Sequence, residues 1–248
     1  MEAMTELTKI REGLGWSHFF RGQFQHLLLA LVLVPGALYL VEPHLTGQSV
    51  GPLTDRQAAY GLVAMVVAHQ VTVWLTWRLQ LCFGLLSRIL GRADLAVWGV
   101  VFLPFLGARV LLLALVGLGD AGSLGLPRAV EVAMGVVLLL PALYTLWSVL
   151  RHFGLLRALG GDHFRERYRQ MELVKEGIFR YSTNAMYTFG FAGLWALAFL
   201  LGSPAAMALA LFQHAYIWVH MYCTEGPDLE VLYGDGPSVE GSAATKGR

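Results

Sequence analysis

Residues 95–118 read LAVWGVVFLPFLGARVLLLALVGL and hold a single charged side chain, Arg109, in an otherwise unbroken apolar run. A helix needs about 20 apolar residues to cross the ~30 Å hydrocarbon layer of a bilayer. A helix on the surface of a soluble domain would keep a polar face, and this run has none. Three more runs of the same character lie at 24–41, 58–77 and 129–150. Hydrophobic residues make up 56% of the chain and charged residues only 14%, with a mean hydropathy of +0.57, so lipid must solvate most of it. A formal net charge of +1 gives no electrostatic case for a nucleic-acid partner. Cys82 and Cys223 stand far apart without metal-ligand spacing, so two free thiols and no metal site are expected.

The last apolar stretch, 186–222, is too long for one helix and contains Gly202-Ser203-Pro204. Glycine ends a helix and proline is well suited to begin one, so the stretch reads as a helical hairpin with arms at 186–201 and 205–222. The arms are short for full spans. A turn lying within the bilayer would have to be shielded by protein, because lipid leaves an irregular backbone without hydrogen-bond partners. The expected fold is all-α: a polytopic membrane protein of four spans plus a C-terminal hairpin, about six membrane helices in one domain over 1–248. Residues 1–21 mix charged and apolar side chains, lack a cleavable signal pattern and read as an amphipathic lead-in. The Gly/Ser/Ala-rich tail, 236–248, reads as flexible.

The basic residues are sorted along the chain. Lys9, Arg11 and Arg21 precede the first span, Arg78, Arg88 and Arg92 follow the second, and seven Lys or Arg between 151 and 180 follow the fourth. The loops between hold only Arg56 and Arg128. The positive-inside rule therefore predicts that both termini and the 151–185 segment are cytoplasmic.

Ionisable residues inside spans are candidates for function. Arg109 is read either as a structural arginine paired with a helix carbonyl or with a carboxylate such as Glu131, or as a contact for a substrate phosphate. His69 is expected to hydrogen-bond within the bundle. The 151–185 segment interleaves charge with Phe153, Phe164, Tyr168, Ile178 and Phe179, and reads as an interfacial helix followed by a turn at Glu176-Gly177. At helical spacing, His214, Trp218, Met221 and Glu225 form one stripe ending at the membrane interface, where a carboxylate above an aromatic suits a cationic ligand.

The elements Gly161-Asp162-His163-Phe164, Asn184-Ala185-Met186-Tyr187 and Glu225-Gly226-Pro227, followed by Tyr233, resemble in order and spacing the phosphatidylethanolamine N-methyltransferases. The stretch 177–187 also keeps the spacing of the related isoprenylcysteine carboxyl methyltransferases. Ala185 stands where both families have proline, Asn184 where the carboxyl methyltransferases have histidine, and Gly226 where a second glutamate is usual. The resemblance covers about 160–234. It implies an S-adenosylmethionine-dependent membrane methyltransferase, with its cofactor region at about 151–235 facing the cytoplasm, in a bacterial inner membrane or endoplasmic reticulum. The acceptor implied is the membrane lipid phosphatidylethanolamine or its mono- or dimethyl forms. Carried over residue by residue, Asn184 and Tyr187 are expected as cofactor contacts and Glu225 as a carboxylate at the cofactor's charged or ribose end. Gly161 and Asp162 are expected in the pocket floor, and Arg180 and Tyr181 at the cofactor carboxylate or as loop anchors. His214, reached by helical spacing, joins Glu225 as a candidate for the amine proton. Methyl transfer to a prenyl-cysteine, a thiol or another lipophile, a membrane sterol reductase, and a transporter or scaffold built from the same spans stand as alternatives.

Overall fold

A computed structural model describes residues 5–234. A short amphipathic helix, α1 (Glu6–Gly13), leads into α2 (Gln23–Val41), α3 (Asp55–Phe83), α4 (Asp94–Gly119) and α5 (Arg128–Ser148). The hairpin consists of α6 (Ala192–Leu201) and α7 (Pro204–His220), and α8 (Gly226–Tyr233) closes the described chain. Four helical segments, Trp16–His44, Asp55–Phe83, Leu85–Gly119 and Arg128–Phe153, are long and apolar enough to cross a membrane. Many large apolar side chains on them point outward: Val100 is 74% exposed, Leu111 61% and Leu140 63%. So broad an apolar exterior suits a lipid solvent and no aqueous one. The protein is an all-α polytopic membrane protein.

Tight contacts between helices fall at small residues, as expected where bilayer and core are equally apolar. A Cβ added at Gly135 would lie 2.6 Å from the Leu200 side chain, and one at Gly117 would lie 2.6 Å from Leu201. These glycines let α5 and α4 pack directly on the hairpin. The main core lies among α2, α3, α4 and α7 and includes Val41, Leu62, Leu113, Leu209 and Tyr216.

The hairpin turn forms as the sequence predicts. Gly202 takes the left-handed conformation (φ 62°), Ser203 caps α7 by accepting from the Ala206 amide, and Pro204 begins the helix where no amide donor is needed. The turn is covered by the loop after α4. The amides of Gly122 and Leu124 donate to the carbonyls of Leu201 and Gly202, each at 2.9 Å. Asp120 accepts from the Ser203 hydroxyl and from the Ala205 amide at 3.0 Å. Protein thus supplies the partners that lipid could not.

Two expectations change. The 151–185 segment is not one interfacial helix: it breaks into the short helices Leu155–Ala158, Gly161–Phe164 and Glu166–Arg169 and a 3₁₀ turn, Gly177–Arg180. Gly154, Gly160 and Gly177 interrupt it with φ of 90°, 79° and 59°, values that favour glycine and cannot continue a helix. Glu131, in turn, is no partner for Arg109. It pairs with Arg128 at 3.0 Å, while Arg109 hydrogen-bonds to Gln213 and His69. Cys82 and Cys223 are free and buried.

Candidate active site

The elements that the sequence singled out converge at one end of the bundle, where three π turns occur: Val149–Phe153, Met186–Gly190 and Met221–Glu225. A π turn inserts one extra residue and rotates the side chains after it, and such turns concentrate at functional sites. Tyr187 lies in the second and Glu225 in the third, which joins α7 to α8. Pro227 follows two residues after Glu225 and lacks an amide hydrogen, so it makes no helical bond back to the Cys223 carbonyl. That carbonyl accepts instead from Gln23 Nε2 at 3.2 Å. Gly22 brings the chain close enough for the contact: its φ is 82° and an added Cβ would overlap the same carbonyl oxygen.

The Tyr187 hydroxyl donates to Glu225 Oε2. The tyrosine ring meets Trp218 edge-on at 6.1 Å between centroids. Glu225 Oε1 accepts from none of the described residues, so one carboxylate oxygen stays open to a cation. Beside this pair runs a chain of charge. Tyr233 donates to Asp162 Oδ2 at 2.9 Å, His163 Nδ1 meets Asp162 Oδ1 at 2.9 Å, and His163 Nε2 meets Asp228 Oδ2 at 3.2 Å. Asp228 Oδ1 is held by His18 Nε2 at 2.8 Å and Arg78 Nε at 2.5 Å, with both partners buried. His163 packs on Trp77, ring centroids 4.6 Å apart.

This arrangement fixes most of the charges. Burial opposes an imidazolium at His163, but carboxylates on both ring nitrogens raise its pKa to about 10. Burial likewise pushes Asp162 and Asp228 upward and is outweighed: His163 holds Asp162 low, and His163, His18 and Arg78 hold Asp228 well below the usual carboxylate range. Glu225 differs. Its burial, reinforced by the negative charge of Asp162, outweighs the hydrogen bond from Tyr187 and raises its pKa to about 7.

Of the residues singled out in the sequence, the structure joins Tyr187 with Glu225 and sets Asp162 in the neighbouring network. Gly161 serves close packing: a Cβ there would lie 2.7 Å from the Leu156 carbonyl and 2.8 Å from the Tyr168 ring. Asn184 offers its carbonyl to the amides of Tyr187 and Thr188, both at 3.0 Å, starting the second π turn. Arg180 and Tyr181 are exposed at the mouth of the loop. His214 lies about 16 Å of helix rise from Glu225; it is bonded to the Tyr187 backbone, and its Nδ1 accepts from the Trp195 indole at 3.0 Å. His163, Asp228, Tyr233, Arg78 and His18 were absent from the expected set. Asp228 had a signal, since it sits three residues beyond Glu225 on a helical spacing. The network is distinct from a surface cavity of about 390 Å³ beside Arg11, Cys82 and Arg88 and from another of about 590 Å³ beside His44, Asp120 and Pro204.

The segment carrying these side chains has relatives. Residues 130–236 match the phospholipid methyltransferase family. The matched part begins in α5 and contains the hairpin, all three π turns and the Asp162, His163 and Asp228 side chains. Proteins named phosphatidylethanolamine N-methyltransferase are similar over part of the chain. That of Malassezia globosa is 34% identical over 101 residues, which is 41% of this chain and 10% of the relative. That of Botryotinia fuckeliana is 32% identical over 101 residues, again 41% and 10%, and that of Komagataella phaffii 29% over 75 residues, 30% and 8%. The chain spans about a tenth of the length of the curated relatives it matches. No solved structure matches it.

Proposed function

We propose that this protein transfers a methyl group from S-adenosylmethionine to the amine of phosphatidylethanolamine, or of its mono- or dimethyl forms, at the cytoplasmic face of its membrane. The observation that carries the proposal is the Tyr187–Glu225 pair, held by two π turns beside the His163-centred network, within the stretch matched to phospholipid methyltransferases. The residues present fit the cofactor. Glu225 would offer an open carboxylate oxygen to its cationic part, Asn184 would bring a carboxamide at the start of the turn that carries Tyr187, and exposed Arg180 and Tyr181 would hold its carboxylate. When bound, S-adenosylmethionine supplies an electrophilic methyl on a sulfonium.

The remaining work belongs to the chain. The phosphatidylethanolamine amine is an ammonium at neutral pH and must lose a proton before it can attack. A pKa of about 7 makes Glu225 a suitable acceptor for that proton, and Tyr187 fixes its orientation. Asp162, His163, Asp228 and Arg78 neutralise one another and keep the surroundings rigid, so alignment and exclusion of water supply most of the acceleration. The site lies between an interfacial loop and the hairpin, giving a water-borne cofactor and a membrane-borne lipid separate entrances.

The test is methyl transfer by purified protein in lipid, with labelled S-adenosylmethionine offered alongside phosphatidylethanolamine, its mono- and dimethyl forms, or a prenylated cysteine. Label in a phospholipid is expected, and its loss in Glu225→Ala with membrane insertion intact. Label in the prenyl-cysteine alone would refute the acceptor, and no label in any acceptor would refute the reading.

A further inference from the structure

The apolar face of α1 is docked: Leu7, with Ile10 and Leu14 beside it, packs on Leu81 of α3 and Leu232 of α8. Its other side chains, Thr8, Arg11 and Glu12, line the cavity of about 390 Å³ together with Phe83, Gly84 and Arg88 at the end of α3. All of these residues precede the segment 130–236 that matches the methyltransferase family, so the match gives this cavity no role.

Two guanidiniums meet there. A Cβ added at Gly84 would lie 3.9 Å from Arg11 Nη1 and 3.9 Å from Arg88 Nε, so both arginines reach the same point. Other basic residues at this end of the bundle are paired: Lys9 with Glu6, Arg21 with Glu230, Arg78 with Asp228, and Arg165 with Asp94. Among the described residues, neither Arg11 nor Arg88 has a carboxylate partner. Nor do they cap α3. Arg11 Nη2 donates to the His163 carbonyl at 2.8 Å, and the Arg88 side chain hydrogen-bonds to none of the described residues. Glu12 is the one acidic residue lining the cavity, so the lining keeps a net positive charge. Burial, then the charges of Arg165 and Arg88, lower the Arg11 pKa in spite of Asp94, and an arriving anion would relieve that repulsion. Paired guanidiniums match the oxygens of a phosphodiester.

The cavity also reaches the lipid. Phe83, in its wall, meets the Trp16 ring at 4.8 Å between centroids, and Trp16 and Phe20 are 62% and 56% exposed. Aromatic side chains settle at the boundary between acyl chains and headgroups, and basic pockets beside helix ends at that level suit headgroup phosphates.

We propose that Arg11 and Arg88 bind the phosphate of an anionic phospholipid in the adjacent leaflet, and that this lipid steadies the loop carrying His163. The bound lipid is a regulator, separate from the acceptor at Glu225. The route to the site is short, because α1 already clips that loop: the Leu7 amide donates to Glu166 Oε2 at 2.7 Å, and Arg11 holds the His163 carbonyl. An anion between the two arginines offsets their repulsion and keeps Arg11 in the clip. The positive lining favours an anionic headgroup over a zwitterionic one. Only the effect on turnover rests on the methyl-transfer reading above; the binding does not.

The experiment reads binding without turnover, by native mass spectrometry of the full chain in detergent with dioleoyl phosphatidylglycerol, dioleoylglycerol or glycerol 3-phosphate. Phosphatidylglycerol should be retained over dioleoylglycerol by about tenfold or more, and Arg11→Gln and Arg88→Gln should each lower its affinity about fivefold. Arg88→Gln is decisive, because it leaves the α1 clip untouched. Arg92→Gln, at an exposed position outside the cavity, should bind as the wild type does. Equal retention by the wild type and Arg88→Gln would overturn the proposal. So would an equal loss in Arg92→Gln, which would reduce the effect to general surface charge. Displacement of phosphatidylglycerol by equimolar glycerol 3-phosphate would move the site from a lipid to a free phosphate and overturn the lipid assignment. Hydrogen exchange tests the coupling: phosphatidylglycerol should slow exchange of the 160–170 amides in the wild type and not in Arg88→Gln, and an unchanged wild-type profile would overturn it. In the methyl-transfer assay, kcat should rise with the phosphatidylglycerol fraction for the wild type alone. Selective retention without any methyl transfer would refute the enzymatic reading and support this site.

Discussion

Cofactor affinity should depend steeply on pH through one residue. Near Glu225 the other charges are Asp162, His163 and Asp228, and none of them titrates between pH 5.5 and 7.5: His163 holds its proton to about 10, and both aspartates are held low. Of these four groups Glu225 is the one that changes state there, near pH 7. If the cationic cofactor binds only the carboxylate form, acidification forces binding to pay the cost of removing a proton, so affinity falls as pH falls through 7. From pH 7.5 to 5.5 the dissociation constant should rise roughly 25-fold, with a limiting slope of about tenfold per pH unit. The cofactor's own α-amine titrates near 7.7 and stays largely protonated across that window. Isothermal titration of detergent-solubilised protein with S-adenosylmethionine measures this directly, with Glu225→Gln as the control. The variant should bind weakly at every pH with a flat profile. A flat wild-type profile, or a slope that survives in Glu225→Gln, would refute the role given to this carboxylate.

Other substitutions probe the surrounding structure. Asp228→Ala strands the buried Arg78 guanidinium without its carboxylate and should cost about 3–5 kcal/mol, read as a lower thermal unfolding midpoint in detergent. Tyr187→Phe removes the hydroxyl that orients Glu225 and should lower kcat by about tenfold or more, while stability changes little. Gly160→Ala places a Cβ 2.5 Å from the Trp77 indole at a φ of 79°, and is expected to displace the loop that carries Asp162 and His163; loss of cofactor binding at near-wild-type expression would show it. Gly135→Val forces α5 away from Leu200 and should destabilise the hairpin by about 1–3 kcal/mol.

The four spans and the hairpin were legible because lipid imposes a simple demand on sequence: long apolar runs, with breaks only where glycine and proline permit. The 202–204 turn even announced its need for cover, which Asp120 and its loop provide. The turn at Glu176-Gly177 is legible, but the part before it reads as one interfacial helix because its aromatic and charged residues mimic an amphipathic face, whereas the positive φ angles at Gly154 and Gly160 break its path. Tyr187 and Glu225 were found through resemblance, but their partnership depends on two π turns, and no local pattern signals the extra residue in each. Arg78 was read only as a topological marker. Its burial against Asp228 pairs residues far apart in sequence, which a local reading does not reach.

That distant pairing has a consequence for biosynthesis. His18 and Asp228 are 210 positions apart, and Arg78 also waits for Asp228. While the chain is being made, the first two spans insert with a histidine and an arginine whose counter-charge has not yet been synthesised, held meanwhile at the wet edge of the bilayer. Arrival of the last helix brings the acid that draws them inward, and the same event sets His163 between its two carboxylates. Assembly of this network therefore waits for α8, so a nascent chain halted before Asp228 is expected to leave His18, Arg78 and His163 without the carboxylate they share.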